Sequence, residues 1–426
     1  MIKKYFSKTL LLISLILFFY VFYRSEIYWE SDKRDYYLIY YYVTIFLIIF
    51  SILSFNFKFL NNEYFIITFI SFIFFIYSSE VYFNFFYKKI LLSYKSKILY
   101  ENTGSKYDKR SKLEIYKDLS KDNDNITVSV SPFNLIIKND ETFLALAGVS
   151  NRKTIFCNEN GIYSVYESDR YGFNNPDQEW DKKKIDYLVI GDSFAHGACV
   201  NRPYDLASNL RKLANKNVLN LGYSGTSSLS QLAILKEYYK KNTKNIVWFF
   251  FENDLEELSY ELKNPILLNY KNNVNFTQKL KSKQKMIDKL NSDMLILNNN
   301  VSAKLISIIK LKIIRSIIND LILKKEVNLE SIRNFKIILK QVKNFSEENN
   351  SKLHFVYLEG FHKDIILKNL VKKTINEIGV NFIDINEEIA NKGLDFKSFF
   401  PFGLPGHYNQ YGYNVIAEIV NDNIKN

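Results

Sequence analysis

Tyr187-Leu188-Val189-Ile190, running straight into Gly191-Asp192-Ser193-Phe194-Ala195-His196-Gly197, is the stretch on which the reading of this chain turns. A short apolar run rich in β-branched residues and closed by glycine has the length of a buried strand rather than a helix. Gly-Asp-Ser at its end sets a hydroxyl at the carboxyl edge of a sheet. Backbone N–H groups of the next turn face developing negative charge there. Open α/β sheets hold their ligands at that edge. Three letters are weak alone, and they gain weight from further elements spread in order along the rest of the chain.

Outward from this stretch the pattern alternates. Strands are predicted at Tyr187–Ile190, Val218–Leu221, Ile246–Phe251, His354–Leu358 and Asn381–Ile383. Helical spacing lies between them at Asp205–Leu213, Ser230–Tyr239 and Asp364–Ile378, with a last helix at Gly412–Asp422. Continuous apolar strands separated by helices predict an α/β fold with a parallel sheet covered on both faces. This domain is placed at 185–426, with a helical insertion at about 255–351. Within the insertion, Ser302–Lys325 mixes isoleucine and leucine with Lys304, Lys310, Lys312 and Arg315. A helix packed on its own domain, a cover for the cleft and a membrane-surface element are all open for it.

Serine acyl-transfer chemistry needs a nucleophile, a base and donors for an oxyanion. Ser193 is the candidate nucleophile. Asn220-Leu221-Gly222-Tyr223-Ser224-Gly225-Thr226 ends the second strand, and a glycine N–H there meets a bound oxygen unobstructed; Gly225 is preferred to Gly222. Glu252-Asn253-Asp254 ends the third strand, where the Asn253 amide supplies another donor. Four histidines compete for the base. His354 opens a buried strand, His196 is too close to Ser193 in sequence, and His362 comes after the fourth strand. His407, in the Gly/Pro loop before the last helix, is the base. His196, Gly222 and His362 remain as substrate-binding candidates.

In this order of elements the chain resembles the SGNH (GDSL-type) hydrolase superfamily over about 185–424. Tyr171-Gly172-Phe173-Asn174-Asn175-Pro176 resembles a lead-in found in membrane-tethered bacterial members. The resemblance implies a flavodoxin-like three-layer α/β/α fold and ester or thioester chemistry. It assigns Ser193 as nucleophile, the Ser193 N–H, Gly225 and Asn253 as the oxyanion hole, and His407 as base. It implies no cofactor and no metal. Two departures matter, and the less serious is Glu252, where glycine often precedes the Asn. The family carries Asp three residues before the histidine, where this chain has Leu404. The ring must then be oriented by a backbone carbonyl, by a distant carboxylate such as Asp384 or Asp395, or by nothing.

The first 90 residues are different in kind. Apolar segments at about 9–23, 36–55 and 64–87 approach the length that crosses about 30 Å of hydrocarbon. Tyr20, Tyr23, Tyr28, Trp29, Tyr82 and Tyr87 stand near their ends, as interfacial rings do. Three transmembrane helices are therefore predicted over 1–90, with the lipid bilayer as a partner. Residues 91–184 form a lead-in of loops and short strands, including Ile126–Val130 and Leu135–Lys138 around the Ser131-Pro132 turn. Lys3, Lys4 and Lys8 against Arg24, Lys33 and Arg34 nearly balance. With a basic amino terminus inside and three crossings, the domain after Lys88 lies outside the cytoplasm, at a bacterial inner membrane by resemblance.

The net charge of +12 invites nucleic acid, yet the lysines are scattered and no nucleic-acid fold signature accompanies them. Cys157 and Cys199 fit no metal spacing. Pairing in an oxidising compartment and two buried thiols both remain open. The expected function is a membrane-anchored serine esterase or O-acyltransferase acting on acyl esters of surface glycans. For transfer it needs a membrane acyl-donor partner. The alternative is a non-catalytic binding or assembly protein of a surface polysaccharide pathway, for which Leu404 is the main support.

Overall fold

The computed structural model describes residues 2–28, 34–56, 63–130, 132, 136–138, 142–289, 301–322 and 329–425. Trp29, Lys33, Ser131 and Leu135 lie outside the described residues. The chain divides into two compact units, one of residues 1–89 with 301–323 and one of residues 90–300 with 324–426.

The larger unit is built on strands β1 (Ile126–Val128), β2 (Ile136–Lys138), β3 (Thr142–Leu144), β4 (Lys153–Ile155), β5 (Val165–Glu167), β6 (Ile185–Gly191), β7 (Val218–Asn220), β8 (Thr243–Phe251), β9 (Lys352–Leu358) and β10 (Asn381–Asp384). The last five form one sheet in the order β10-β9-β8-β6-β7, every pair parallel. Read from the other edge this is 2-1-3-4-5, the flavodoxin-like doubly wound order, whose strand order reverses beside its first strand. That strand is β6, and Ser193 sits just past its carboxyl end.

Alternation along the strands builds two apolar cores. Leu188, Ile190, Trp248, Phe250, Phe355 and Tyr357 face one layer, with buried side chains from helices Ser228–Tyr238, Leu329–Glu348 and Ile365–Ile378. Tyr187, Val189, Val247, Phe249, Val356 and Ile383 face the other, with helices Leu206–Ala214, Ile385–Asn391 and Gln410–Lys425. The result is the three-layer α/β/α sandwich.

The stretch predicted as a single insertion, 255–351, has separate parts. Leu329–Glu348 is the crossover helix between β8 and β9, with Phe335, Ile338, Leu339 and Val342 fully buried at helical spacing. Val301–Ile309 and Lys312–Ile322 belong to the smaller unit. Residues 290–300 and 323–328 of the stretch are outside the described residues.

The lead-in is part of the larger unit, with β1-β4-β5 in one small sheet and β2 antiparallel to β3. Its anchor is Asp169, a buried carboxylate that accepts from the Tyr171 and Phe173 N–H groups, Asn175 Nδ2 and Trp180 Nε1. Burial pushes its pKa up to about 6. Asn174 Nδ2 then donates to the His196 carbonyl, while Asn175 exchanges two bonds with the backbone of Asn220. The Tyr171–Pro176 segment thus pins the lead-in to the ends of β6 and β7.

Two helices are long and apolar enough to cross a membrane, Tyr5–Tyr28 in the smaller unit and Ile66–Thr103, which begins in that unit. Helix Arg34–Asn56, where the second span is predicted, has a shorter apolar part, Tyr40–Phe55.

Candidate active site

Gly191 closes β6 with φ +151°, and a Cβ there would lie 2.5 Å from the Phe249 carbonyl oxygen and 2.8 Å from the Ala195 Cβ. Only glycine lets the chain turn this closely. Asp192 caps the short helix Ser193–His196 by accepting from the Phe194 N–H at 2.9 Å. The turn sets Ser193 at the mouth of the sheet.

His407 meets it from the far end of the chain. Its Nε2 lies 2.8 Å from Ser193 Oγ. The ring packs against Phe194, centroid to centroid 4.9 Å, and Phe194 stacks on Phe251 at 4.1 Å. These contacts fix the imidazole plane.

The carboxylate absent at Leu404 arrives from the lead-in. Glu159 Oε1 lies 3.0 Å from His407 Nδ1, and Glu159 Oε2 accepts the His407 backbone N–H at 2.6 Å. With a carboxylate beside it, Nδ1 carries the hydrogen and donates, so Nε2 is left to accept from the Ser193 hydroxyl. Gly406 makes room, since a Cβ there would sit 2.6 Å from Glu159 Oε2. Burial lowers the His407 pKa, but the Glu159 hydrogen bond and charge, with Asp192, outweigh it and leave the ring above its ordinary value. Burial likewise raises Glu159, and its bonds to His407 bring it below the ordinary carboxylate value. Both partners report the same pairing.

Glu159 is held in place covalently. Cys157, two residues before it, forms a disulfide with Cys199, six residues after Ser193. Asn160 Nδ2 donates to the Cys199 carbonyl at 3.0 Å, the Val165 N–H to Asn201 Oδ1 at 2.7 Å, and Arg202 to the Glu167 carbonyl at 2.9 Å. The acid's loop and the nucleophile's loop are laced together. Replacing both cysteines by serine is expected to cost about 2–4 kcal/mol of stability. It should also lower turnover by freeing Glu159, read from chemical denaturation and ester hydrolysis of the paired variant against the parent.

The oxyanion candidates stand along the same edge. Gly225, half-buried with φ +78°, sits in a turn after β7 that Thr226 Oγ1 closes onto the Tyr223 carbonyl at 2.6 Å. Asn253 comes just after β8; one amide hydrogen goes to Glu257 Oε1 at 3.0 Å, leaving the second. Burial, with Asp192 and Glu261 nearby, pushes Glu257 up to about 7.

The other sequence candidates are placed elsewhere. Asp384 caps helix Ile385–Asn391, accepting from the Asn386 and Glu387 N–H groups, and touches Lys368 at 3.4 Å. Asp395 caps Phe396–Phe399 through the Lys397 N–H. Both carboxylates are capping groups, and Glu159 holds the ring. His196 is fully buried among Phe156, Tyr166 and Tyr223, accepts the Ser224 N–H at Nδ1, and is driven by burial to a pKa of about 3. It is a neutral strut under the Gly225 turn and out of reach of a substrate. Gly222 is buried too, its N–H taken by Asn220 Oδ1, and a Cβ there would lie 2.6 Å from the Ala195 Cβ. His362 is exposed beyond β9, edge-on to Phe361.

Comparison with solved structures gives distant matches to this chain. One is a G-D-S-L family protein from Desulfitobacterium hafniense, 11% identical over 56% of this chain and 99% of that one, TM-score 0.32. Another is the acetylxylan esterase Axe2 of Geobacillus stearothermophilus, 12% identical over 56% and 94%, TM-score 0.31. A third is the YxiM protein of Bacillus subtilis, 13% identical over 59% and 58%, TM-score 0.31. No family model and no curated protein matches the chain. The functional reading is therefore carried by the site's own geometry.

Proposed function

We propose that this chain is a serine esterase of the SGNH type that works through an acyl-enzyme. The carrying observation is the unbroken relay from Ser193 Oγ through the His407 ring to Glu159, at 2.8 and 3.0 Å. Ser193 Oγ attacks the acyl carbon as its proton passes to His407 Nε2. The Ser193 N–H, Gly225 N–H and Asn253 amide take the oxyanion. His407 then returns the proton to the departing alcohol oxygen, leaving the acyl group on Ser193. Water, or a sugar hydroxyl in transfer, reverses the sequence.

Leu404 by itself favours a non-catalytic scaffold. Glu159 supplies the carboxylate that Leu404 does not, so that argument falls away. The two long apolar helices support a membrane anchor. The Cys157–Cys199 disulfide supports an oxidising, extracytoplasmic compartment for the larger unit. A surface-glycan acyl ester is the substrate class we assign, in keeping with the family resemblance.

A fluorophosphonate probe tests the chemistry directly. Full-length protein is expected to form one covalent adduct, placed on Ser193 by mass spectrometry. Well-folded protein that stays unlabelled, or carries the adduct on another serine, would overturn the esterase reading.

A further inference from the structure

We propose that the hairpin Val301–Ile322 is a second membrane contact, lying in the lipid interface beside the long apolar helix Ile66–Thr103. The inference rests on the membrane-anchor reading above.

The hairpin is two helices, Val301–Ile309 and Lys312–Ile322, joined by a turn at Leu311, whose φ is +48°. It falls in the compact unit of residues 1–89, although residues 90–300 of the larger unit separate the two in sequence. Specific bonds hold it there. Glu80 is fully buried, and its carboxylate accepts the Ile313 and Ile314 N–H groups at 3.0 and 2.9 Å. A helix amino terminus leaves such N–H groups unsatisfied, so an acid from the long helix completes it. Tyr77 Oη donates to the Ile309 carbonyl at 3.3 Å. The Arg315 guanidinium lies over the Tyr40 ring, 4.9 Å from its centroid.

The surface these bonds leave outward is apolar. Leu305, Ile306 and Ile309 share one face of their helix and are 57%, 47% and 66% exposed. Ile67, Phe74 and Phe75 on the long helix are exposed at 60%, 73% and 67%. Large apolar side chains exposed to this extent on both elements are unstable in water and stable in hydrocarbon. Lipid is the occupant because the segment is bonded, through Glu80 and Tyr77, to a helix long enough to span, and both expose large apolar side chains. Length decides how the hairpin sits. At about 1.5 Å per residue its helices reach about 14 and 17 Å, roughly half of what spanning requires. They must lie in the interface, where Lys310 and Lys312 at the turn meet anionic headgroups.

The test uses the full-length protein, whose two cysteines are paired, so an added cysteine is the only thiol to label. Ile306→Cys, Ile309→Cys, Phe74→Cys and Lys216→Cys are each given an environment-sensitive fluorophore. They are reconstituted into phosphatidylethanolamine/phosphatidylglycerol vesicles containing doxyl-labelled lipid. Lys216, exposed on the loop before β7, is the aqueous control. Labels at 306 and 309 are expected to lose fluorescence as the label at 74 does, while 216 keeps it. If 74 is quenched and both 306 and 309 behave as 216, the hairpin proposal is wrong and the anchor stands. If 74 also behaves as 216, the membrane reading fails and takes the hairpin with it. Using two hairpin positions keeps the test decisive should one variant misfold.

Discussion

Glu159→Gln is expected to lower kcat for a small acetyl ester by about 10³–10⁴, the scale of losing a triad acid while keeping its shape. The substitution is nearly isosteric, so the disulfide and the Asn160 and Asn201 bonds still hold the loop. What changes is the hydrogen at His407 Nδ1. A carboxylate only accepts, which forces Nδ1 to donate. An amide can donate to Nδ1 instead, and then Nε2 carries the hydrogen and points it at Ser193. That tautomer cannot take the serine proton. The pH profile supplies a second readout. His407 works as a base only when neutral, and its pKa is raised, so activity is present above that pKa and falls as pH drops through it. The acid limb of kcat/KM should therefore lie above about 6.5, the ordinary histidine value. Removing the Glu159 charge and hydrogen bond leaves burial as the larger influence, so in Glu159→Gln the limb moves to lower pH. An unshifted limb with a full loss of rate would mean that Glu159 acts by some route other than the ring.

The sheet was legible because its signal is local. Runs such as Ile246–Phe251 and His354–Leu358 are apolar over strand length, and they fall inside β8 and β9. Ser193 and His407, which the fold brings within 2.8 Å, were legible because one comes after a strand and the other before a helix in a fixed order. Glu159 was not. It lies 248 residues from His407, on a loop with no periodicity, as one of 45 acidic residues. The signal that could have found it was the cysteine pair. A Cys157–Cys199 bond, once assumed, delivers residue 159 to the neighbourhood of Ser193 before any coordinates exist. The crossover helix Leu329–Glu348 was blurred for another reason. Helical composition runs on both sides of it, and the boundary between a helix on the sheet and one in the smaller unit is a matter of partner, which composition does not encode. Asp384 and Asp395 misled because acids before helices are caps far more often than catalytic groups.

His407→Ala is expected to lower esterase turnover by about 10²–10⁴, the usual contribution of a positioned general base. Its greater value is in combination with Glu159→Gln. Glu159 reaches the chemistry through the imidazole at Nδ1, its other bond being to the His407 backbone N–H. Once the ring is gone, the carboxylate has no proton to orient and no tautomer to select. The double variant should then be no slower than His407→Ala alone, so the two losses are strongly non-additive, as for groups that act as one unit. Steady-state rates of the four proteins close the cycle. Two independent losses that multiply would mean that Glu159 touches the substrate or the fold by itself, and the Ser-His-Glu relay would have to be abandoned. The residual rate of the double variant is informative as well, because the oxyanion donors proposed at Gly225 and Asn253 are untouched by either change. Truncating Asn253 on that background should still slow the reaction if its amide faces the oxyanion, since that contribution does not pass through the ring.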